Sequence, residues 1–250
     1  MRNEQFVKEY FRKDGTVAKW WNPTEGDYAY LFAKQLELIK NWLGDENKKS
    51  CLEVSCGKGR ATKQLSGLFD DYLATDISNE MLSIAKTNCQ GARFELQDAE
   101  NLRIDSESKD CIVCLEALVH YPNPQRAIAE FNRVLRPGGI FIVDSDNKYS
   151  IRRWVKKAYQ IVERSQKQFG EDIFQPYSRK ELVNMLQNHG FKIEKLMYVG
   201  TVSPISLHTK KGNTFTVIGS EISRKCYEIG LDSVPLLNRL ATYHLVLARK

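Results

Sequence analysis

Residues 52–60 have the sequence LEVSCGKGR, and this stretch decides the fold. A short apolar segment leads into a turn with two glycines, and residues 61–69 (ATKQLSGLF) then have the composition of a helix. A buried strand, a tight glycine-containing loop and a helix in this order are typical of a wound α/β sheet, which binds ligands beyond the carboxyl ends of its strands. At Gly57 and Gly59 the backbone can approach such a ligand closely.

The same alternation of strands and helices continues downstream. Further strands are predicted over residues 72–74, 92–96, 111–115 and 140–143. Ser78 is a suitable N-cap for one helix, and Asn123 followed by Pro124 is a suitable start for another. Strands that alternate with helices at this spacing predict an α/β fold with a doubly wound, mostly parallel sheet and right-handed crossovers.

The flanking segments add further elements to this sheet. Residues 28–43 place a mostly apolar stripe on one face of a core-facing helix. Ser178 and Glu181 form a capping box, which predicts a helix that ends at Gly190. The last strands are predicted over residues 191–199 and 243–248, with a helix over residues 215–229 between them.

Length and composition limit the class of protein. The chain has 250 residues, 42% hydrophobic and 27% charged, which excludes a disordered or fibrous protein. No apolar run approaches the roughly 18 residues that a membrane-spanning helix needs. The charged start, MRNEQFVKEYFRKDG, lacks the features of a signal peptide, so we expect a cytoplasmic protein with reduced cysteines. Cys111 and Cys114 lie three apart in a predicted strand, where they would face opposite sides.

The net charge of +6 is concentrated in one segment. Residues 148–168 contain seven Lys or Arg side chains and one acid, Glu163, whereas the rest of the chain has 30 of each sign. A basic surface spread over the domain, as in nucleic-acid-binding proteins, is therefore not predicted. The segment also has apolar residues at helical spacing, so it is either a lid over the active site or a peripheral contact with an anionic membrane. The lid is the favoured interpretation.

Three acids stand at the ends of three successive predicted strands. Glu53 ends the first strand and is placed to hold an ammonium group. Asp76 follows it by 23 residues, where an acid can accept both hydroxyls of a ribose, and Asp98 can accept from the exocyclic amine of a base. The set predicts a ligand with an amine, a ribose and an adenine but no pyrophosphate. S-adenosylmethionine fits this description better than NAD, whose glycine pattern would need glycine in place of Thr62.

Residues 50–145 resemble the class I S-adenosylmethionine-dependent methyltransferases. LEVSCGKGR looks like their glycine-rich first motif, LATDISNEMLSIAK like the second and FELQDAENL like the third. The run from DCIVCLEALVHY to EFNRVLRPGGIFIVD looks like their fourth to sixth motifs. The resemblance implies a Rossmann-like sheet of seven strands with the last strand antiparallel. It also implies one domain over residues 1–250, with an arm (1–30), an insertion (148–176) and the segment 200–240 forming a helical cap over the acceptor site.

The resemblance assigns cofactor contacts residue by residue. It implies that Glu53 and the loop from Ser55 to Gly59 hold the methionine end. It places Asp76 and Ile77 at the ribose, Asp98 and Ala99 at the adenine, and Leu115 and Glu116 beside the sulfonium. Ser55 replaces the first glycine of the family's loop. The complete set of implied cofactor contacts is Glu53, Ser55, Cys56, Gly57, Gly59, Asp76, Ile77, Met81, Asp98, Ala99, Leu115 and Trp21.

A narrower resemblance concerns the edges of the domain. VAKWWNPTEGDY, with Trp20 and Trp21, looks like the N-terminal element of the ubiquinone-biosynthesis O-methyltransferases. These aromatic side chains would either line the acceptor pocket or belong to the core. The E-x-x-E-H pattern of that family is present here as Glu116, Ala117, Leu118, Val119 and His120, without the second acid. No metal site is therefore predicted.

Glu116 and His120 are the candidate catalytic residues. Four positions apart, they would share one face of a helical turn and offer a general base or two metal ligands. The alternative is that His120 only packs beneath the cofactor. We expect methyl transfer to an oxygen or nitrogen of a small molecule. The other hypotheses are an RNA-modifying methyltransferase, a nicotinamide-dependent oxidoreductase and a noncatalytic methyltransferase-like subunit; the oligomeric state is not predicted.

Overall fold

The computed structural model of the protein describes residues 4–13, 29–44, 46, 49–163, 174–203, 205–208 and 214–250. The strands are β1 (Ser50–Val54), β2 (Asp71–Asp76), β3 (Arg93–Leu96), β4 (Lys109–Cys114), β5 (Leu135–Asp146), β6 (Lys192–Val199), β7 (Ile205–His208), β8 (Thr214–Ile218) and β9 (Tyr243–Arg249). The α-helices are α1 (Glu4–Arg12), α2 (Ala29–Trp42), α3 (Thr62–Leu65), α4 (Asn79–Asn88), α5 (Pro124–Val134), α6 (Ile151–Glu163), α7 (Arg179–Asn188) and α8 (Ser220–Glu228).

A seven-stranded sheet forms the centre of the molecule. Its strand order is β3-β2-β1-β4-β5-β9-β6, and β1 to β5 are parallel wherever they pair. The last strand, β9, lies antiparallel between β5 and β6. This arrangement confirms the predicted doubly wound, mostly parallel sheet with an antiparallel last strand. β7 and β8 form a separate antiparallel pair.

Local capping explains where three of the helices begin. The Ser78 side chain accepts from the N–H of Met81 at the start of α4, and the Asn123 side chain does the same for Arg126 beside Pro124. At α7, Ser178 and Glu181 cap one another reciprocally. Each such cap contributes about 1 kcal/mol to helix stability. All three predicted helix starts are confirmed.

The core consists of two apolar clusters, one on each face of the sheet. Because successive strand residues face opposite sides, Ile112 and Phe141 pack towards α5 and α7, whereas Val113 and Ile142 pack towards α2. Cys111 and Cys114, both fully buried, belong to opposite clusters, as their spacing predicts. The sheet is therefore covered on both faces, which leaves its carboxyl edge as the place for a site.

Two predictions about local structure are wrong. The helix predicted over residues 215–229 begins only at Ser220, because residues 214–218 form β8 and pair with β7. The strand predicted over residues 140–143 extends further and includes Asp144 and Asp146, because β5 continues in register with β9 as far as Asp146. Among the described helices, none is long and apolar enough to cross a bilayer.

The aromatic side chains buried on the α5 face of the sheet should contribute strongly to the free energy of unfolding. Phe131 is fully buried, and its ring centroid lies 5.2 Å from that of Phe141 with the two rings tilted by 59°. We expect Phe131→Ala to lower the free energy of unfolding by about 3–5 kcal/mol, because it removes buried area and leaves a cavity. Ile229→Ala is the control, since that side chain is 75% exposed. Urea unfolding followed by circular dichroism measures both variants, and equal transition midpoints would contradict the assignment.

Candidate active site

Four carboxylates gather at the carboxyl edge of the sheet. Glu53 lies near the end of β1 and Asp76 ends β2, while Asp98 and Glu116 follow β3 and β4 within two residues. β1 pairs with both β2 and β4, so the direction in which successive strands are added to the sheet reverses at β1. Such a reversal opens a crevice at the ends of the strands, where ligands bind in wound α/β sheets.

The glycine-rich loop after β1 is held in a tight conformation. The N–H of Cys56 donates to the carbonyl of Thr75 at 2.8 Å, so the loop is tied to the end of β2. Ser55, Gly57 and Gly59 have φ angles of 59°, 55° and 81°. Ser55 therefore has the left-handed conformation that glycine adopts most easily, and its hydroxyl is 2.8 Å from the Tyr121 hydroxyl.

The two glycines of this loop serve different purposes. At Gly59 an added Cβ would lie 2.6 Å from Cys89 Sγ, so the loop needs glycine to pack against α4. At Gly57 an added Cβ would meet no atom within 4 Å. Gly57 therefore borders open space, and a side chain there would fill a cradle that the bare backbone leaves for a ligand.

Glu53 is buried beneath the loop. Its Oε2 accepts from the Thr62 hydroxyl at 2.5 Å and from the Tyr72 hydroxyl at 2.9 Å. Burial raises the pKa of Glu53 to about 7, although these two hydrogen bonds oppose the shift. The carboxyl group is thus positioned by its neighbours, and its charge is sensitive to what lies beside it.

Asp76 links the loops that follow β1 and β2. Its Oδ2 accepts from the N–H of Gly57 at 2.8 Å, and its Oδ1 accepts from the N–H of Ser78 at 2.9 Å. Burial raises the pKa of Asp76, and these backbone donors counteract the rise. Ile77 is half-buried beside it and Met81 is buried in the first turn of α4.

Asp98 is covered by the N-terminal helix, which sequence reasoning missed. Asp98 Oδ1 accepts from the N–H of Glu100, and Oδ2 lies 2.9 Å from Lys8 Nζ and 3.7 Å from Arg12. Lys8 Nζ also lies 2.9 Å from Glu100 Oε2. Ala99, next in the chain, is buried. Nothing local in the sequence links residue 8 to residue 98, because their contact depends on how α1 docks.

Glu116 bridges the cleft to the glycine loop. Its carboxylate forms an ion pair with Arg60 and accepts from the Tyr243 hydroxyl. Burial raises the pKa of Glu116, while the Arg60 charge opposes the rise. The N–H of Glu116 donates to Asp144 Oδ1 at 2.5 Å. Sequence reasoning missed the role of Arg60, although Arg60 is the last residue of the motif that decided the fold.

The prediction that Glu116 and His120 share a helical face is wrong. Glu116 has a φ of 54°, which is incompatible with a helix, and the 3₁₀ turn begins only at Leu118. His120 lies between two aromatic rings, 5.3 Å from Phe11 and 5.6 Å from Phe174. The two candidate catalytic residues therefore have different surroundings. Leu115, between β4 and Glu116, is half-buried.

Trp21, together with Trp20, lies outside the described residues. Asp144 is held on both oxygens, by the N–H of Glu116 and by Gln35 at 2.9 Å. The Asn147 amide donates to the carbonyls of Arg239 and Ala241, both at 2.8 Å. Across the part of the chain that the structure describes, no cluster of three or more His, Cys, Asp or Glu side chains is arranged to hold a metal ion.

The donor and acceptor set defines the kind of ligand that fits. Buried carboxylates accept hydrogen bonds from hydroxyl and amine donors and repel a pyrophosphate. Thr62, which stands where a dinucleotide-binding loop has its third glycine, is fully buried and bonded to Glu53. An adenosyl group with an amino-acid end therefore suits this edge, whereas a dinucleotide does not.

Comparison with known proteins finds similarity over the region that contains the glycine loop and the acids at the strand ends. A sequence family described as "Methyltransferase domain" matches residues 52–143. A ubiquinone biosynthesis O-methyltransferase of Coxiella burnetii is 29% identical over 156 residues, which is 59% of this chain and 66% of that protein. A phthiotriol/phenolphthiotriol dimycocerosates methyltransferase of Mycobacterium tuberculosis is 39% identical over 101 residues, 39% of this chain and 37% of that protein.

A solved structure extends the likeness to nearly the whole fold. The magnesium protoporphyrin IX methyltransferase of Synechocystis PCC 6803, solved with bound S-adenosylhomocysteine, has a TM-score of 0.66 to this chain. The match covers 99% of this chain and 100% of that one at 16% identity, which is a likeness of fold. The matched domain, the strand order and the glycine loop with its acids make residues 52–143 similar to the S-adenosylmethionine-dependent methyltransferases.

Proposed function

We propose that the protein transfers the methyl group of S-adenosylmethionine to an oxygen or nitrogen of a small molecule. The observation that carries this proposal is that Glu53, Asp76 and Asp98 lie at the ends of three adjacent parallel strands, beside a glycine loop whose Gly57 N–H donates to Asp76. The relative named as an O-methyltransferase favours oxygen as the acceptor atom. That alignment spans 66% of the relative's length.

The residues at the carboxyl edge suit the three parts of the cofactor. Asp76 would take the ribose hydroxyls, because a carboxylate has about four lone-pair positions and only two are taken by backbone N–H groups. Asp98 and Ala99 would face the adenine. The loop from Ser55 to Gly59, above Glu53, would hold the methionine end, and Leu115 would lie beside the sulfonium.

Bound S-adenosylmethionine supplies a methyl group already activated by a positively charged sulfur. What this chain must supply is alignment of the acceptor and exclusion of water, a positional effect worth roughly 7–11 kcal/mol. Just after β4, Leu118 and Tyr121 are buried in the apolar cluster on the α5 face of the sheet, and Leu115 packs against the cluster on the α2 face. We further propose that the arm (1–30), the insertion (148–176) and the segment 200–240 cover the acceptor within a single domain.

A general base is needed only where the acceptor must lose a proton. Glu116 is already paired with Arg60 and Tyr243, so taking up a proton would cost it an ion pair. His120 lies half-buried between the rings of Phe11 and Phe174. We therefore propose His120 as the first candidate for the base and Glu116 as the second.

The outer side of α6 is a candidate contact surface for a peripheral partner. Arg153, Trp154 and Lys157 are exposed there, with Trp154 59% exposed. This surface suits contact with anionic lipid better than base-specific contact with RNA, because a large aromatic side chain accompanies the charges. The membrane contact through residues 148–168 remains a prediction, and residues 164–168 lie outside the described part.

Replacing the ribose carboxylate should weaken cofactor binding. We expect Asp76→Asn to lower the affinity for S-adenosylhomocysteine by about 10- to 150-fold, because a hydrogen bond to a charged group is worth about 1.5–3 kcal/mol. Asp70→Asn is the matched control, since Asp70 is exposed before β2. Titration calorimetry measures both, with NAD as the competing ligand. Binding of NAD in place of S-adenosylhomocysteine would refute the proposed function.

Removing the candidate base should slow turnover without loosening the cofactor. We expect His120→Ala to lower the rate of S-adenosylhomocysteine release by about 10²- to 10⁴-fold with a panel of phenolic acceptors. His189→Ala is the matched control, because His189 lies at the end of α7 and contacts the carbonyl of Met185. Full turnover of His120→Ala across neutral pH would show that His120 is not the base.

A further inference from the structure

Lys8 attaches the N-terminal helix α1 to the loop that follows β3. Its Nζ lies 2.9 Å from Asp98 Oδ2 and 2.9 Å from Glu100 Oε2 in that loop. It also lies 3.2 Å from Glu4 Oε1, one turn earlier on α1. The Lys8 side chain is only 17% exposed, so its charge is held among three carboxylates and largely away from water.

The loop depends on this cation as well. The Glu100 side chain is 3% exposed, and its Oε1 accepts from the N–H of Asn123 at 2.6 Å, so Oε2 faces Lys8. Burial opposes the charge of Lys8, but hydrogen bonds to Glu100 and Asp98 outweigh it and raise the pKa of Lys8. Lys8 is therefore protonated at neutral pH, and removing it would leave a buried carboxylate without its counter-charge.

The other ion pairs described for α1 are weaker. Arg126 lies 3.4 Å from Glu4, and Arg12 lies 3.7 Å from Asp98. Both arginine side chains are more than half exposed, and water and salt screen such pairs. Among the described ion pairs of α1, those of Lys8 therefore contribute most to its attachment.

The same helix reaches the proposed base. Phe11 lies three residues beyond Lys8 on the same side of α1. Its ring centroid is 5.3 Å from that of His120, and the ring of Phe174 lies 5.6 Å from His120. The imidazole is thus packed between two rings, one of which belongs to α1. A shift of α1 would withdraw that ring.

We propose that Lys8 is a positioning residue that acts on His120 through Phe11. Its ion pairs fix α1, and α1 holds the Phe11 ring against the imidazole. The inference deepens the proposed function and rests on it, because His120 is the proposed base. Lys8 acts here through the helix and not on the acceptor itself. Its effect is on where the imidazole lies, and a catalytic group misplaced by about 1 Å can cost about 100-fold in rate.

Cofactor binding should not require Lys8. Asp98 Oδ1 accepts from the N–H of Glu100, and Oδ2 is paired with Lys8. Each carboxylate oxygen can accept two hydrogen bonds, so an amine donor could share Asp98 with Lys8. Loss of Lys8 should therefore change turnover and leave the affinity for the cofactor nearly unchanged.

The direct test observes the imidazole by nuclear magnetic resonance of the full chain. The sequence has four histidines, so the ring-proton signal of His120 is identified by its loss in His120→Ala. Because an aromatic ring shifts the signals of nearby protons, Phe11→Leu gives the position of this signal without the Phe11 ring. We expect Lys8→Met to shift it in the same direction and by a comparable amount. In the matched control, Lys13→Met, the signal should not move, since Lys13 is exposed just beyond α1.

Turnover and cofactor binding distinguish positioning from a general loss of structure. We expect Lys8→Met to lower kcat with phenolic acceptors by about 10- to 100-fold. Titration calorimetry should show its affinity for S-adenosylhomocysteine within about threefold of the unmodified protein. Lys8→Arg keeps the cation and should retain both the His120 signal and kcat. In K8M/F11L the loss of kcat should not exceed that of the more damaging single variant, because both changes break one contact.

Three results would each overturn the inference. They are an unmoved His120 signal in Lys8→Met, losses of kcat that multiply in K8M/F11L, and a loss of affinity for S-adenosylhomocysteine as large as the loss of kcat. If Lys8→Met does not fold, K8M/E100Q allows the same measurements with both buried charges removed. Failure of the unmodified protein to bind S-adenosylhomocysteine would instead overturn the proposed function, and the resonance experiment would still decide whether Lys8 positions His120.

Discussion

The pairing of β1 between β2 and β4 is the constraint on which the rest of the site depends. Glu53 is level with Ala74 on one side and with Val113 on the other. Because parallel strands end at the same edge, this register brings the loops after residues 54, 76 and 114 together although they are far apart in the chain. It also brings Arg60 and Glu116 together as an ion pair. A sheet in chain order would separate these groups.

Burying so many carboxylates at one edge costs free energy, and the fold offsets the cost locally. Glu53 is stabilised by two hydroxyl donors, Asp76 by two backbone N–H groups and Glu116 by a guanidinium and a hydroxyl. Burial nevertheless raises the pKa of each of these groups, so the offset is incomplete. A protein retains such an arrangement where a ligand that donates hydrogen bonds completes it. The electrostatics and the open space at Gly57 thus favour the same kind of ligand.

The sequence predicts the features that depend on local spacing. The strand, glycine loop and helix at residues 52–68, the three acids at strand ends and the capping box at Ser178 all follow from neighbours along the chain. The prediction that Glu116 and His120 share a helical face failed because a tertiary hydrogen bond to Asp144 fixes Glu116 outside any helix. The partners of Asp98 could not be predicted from the sequence for a related reason. A salt bridge between residues 8 and 98 depends on the docking of α1, which no local pattern encodes.

The docking of α1 connects the two ends of the cleft. Lys8 contacts Asp98 at the proposed adenine end, and Phe11, one turn further along the same helix, packs on His120 at the proposed acceptor end. Residues three apart lie on the same side of a helix, so both contacts belong to one rigid surface. A displacement of α1 that broke the ion pair at Asp98 would therefore also move the ring beside His120. The carboxylate that would meet the adenine and the imidazole that would meet the acceptor are in this way held by a single element outside the sheet.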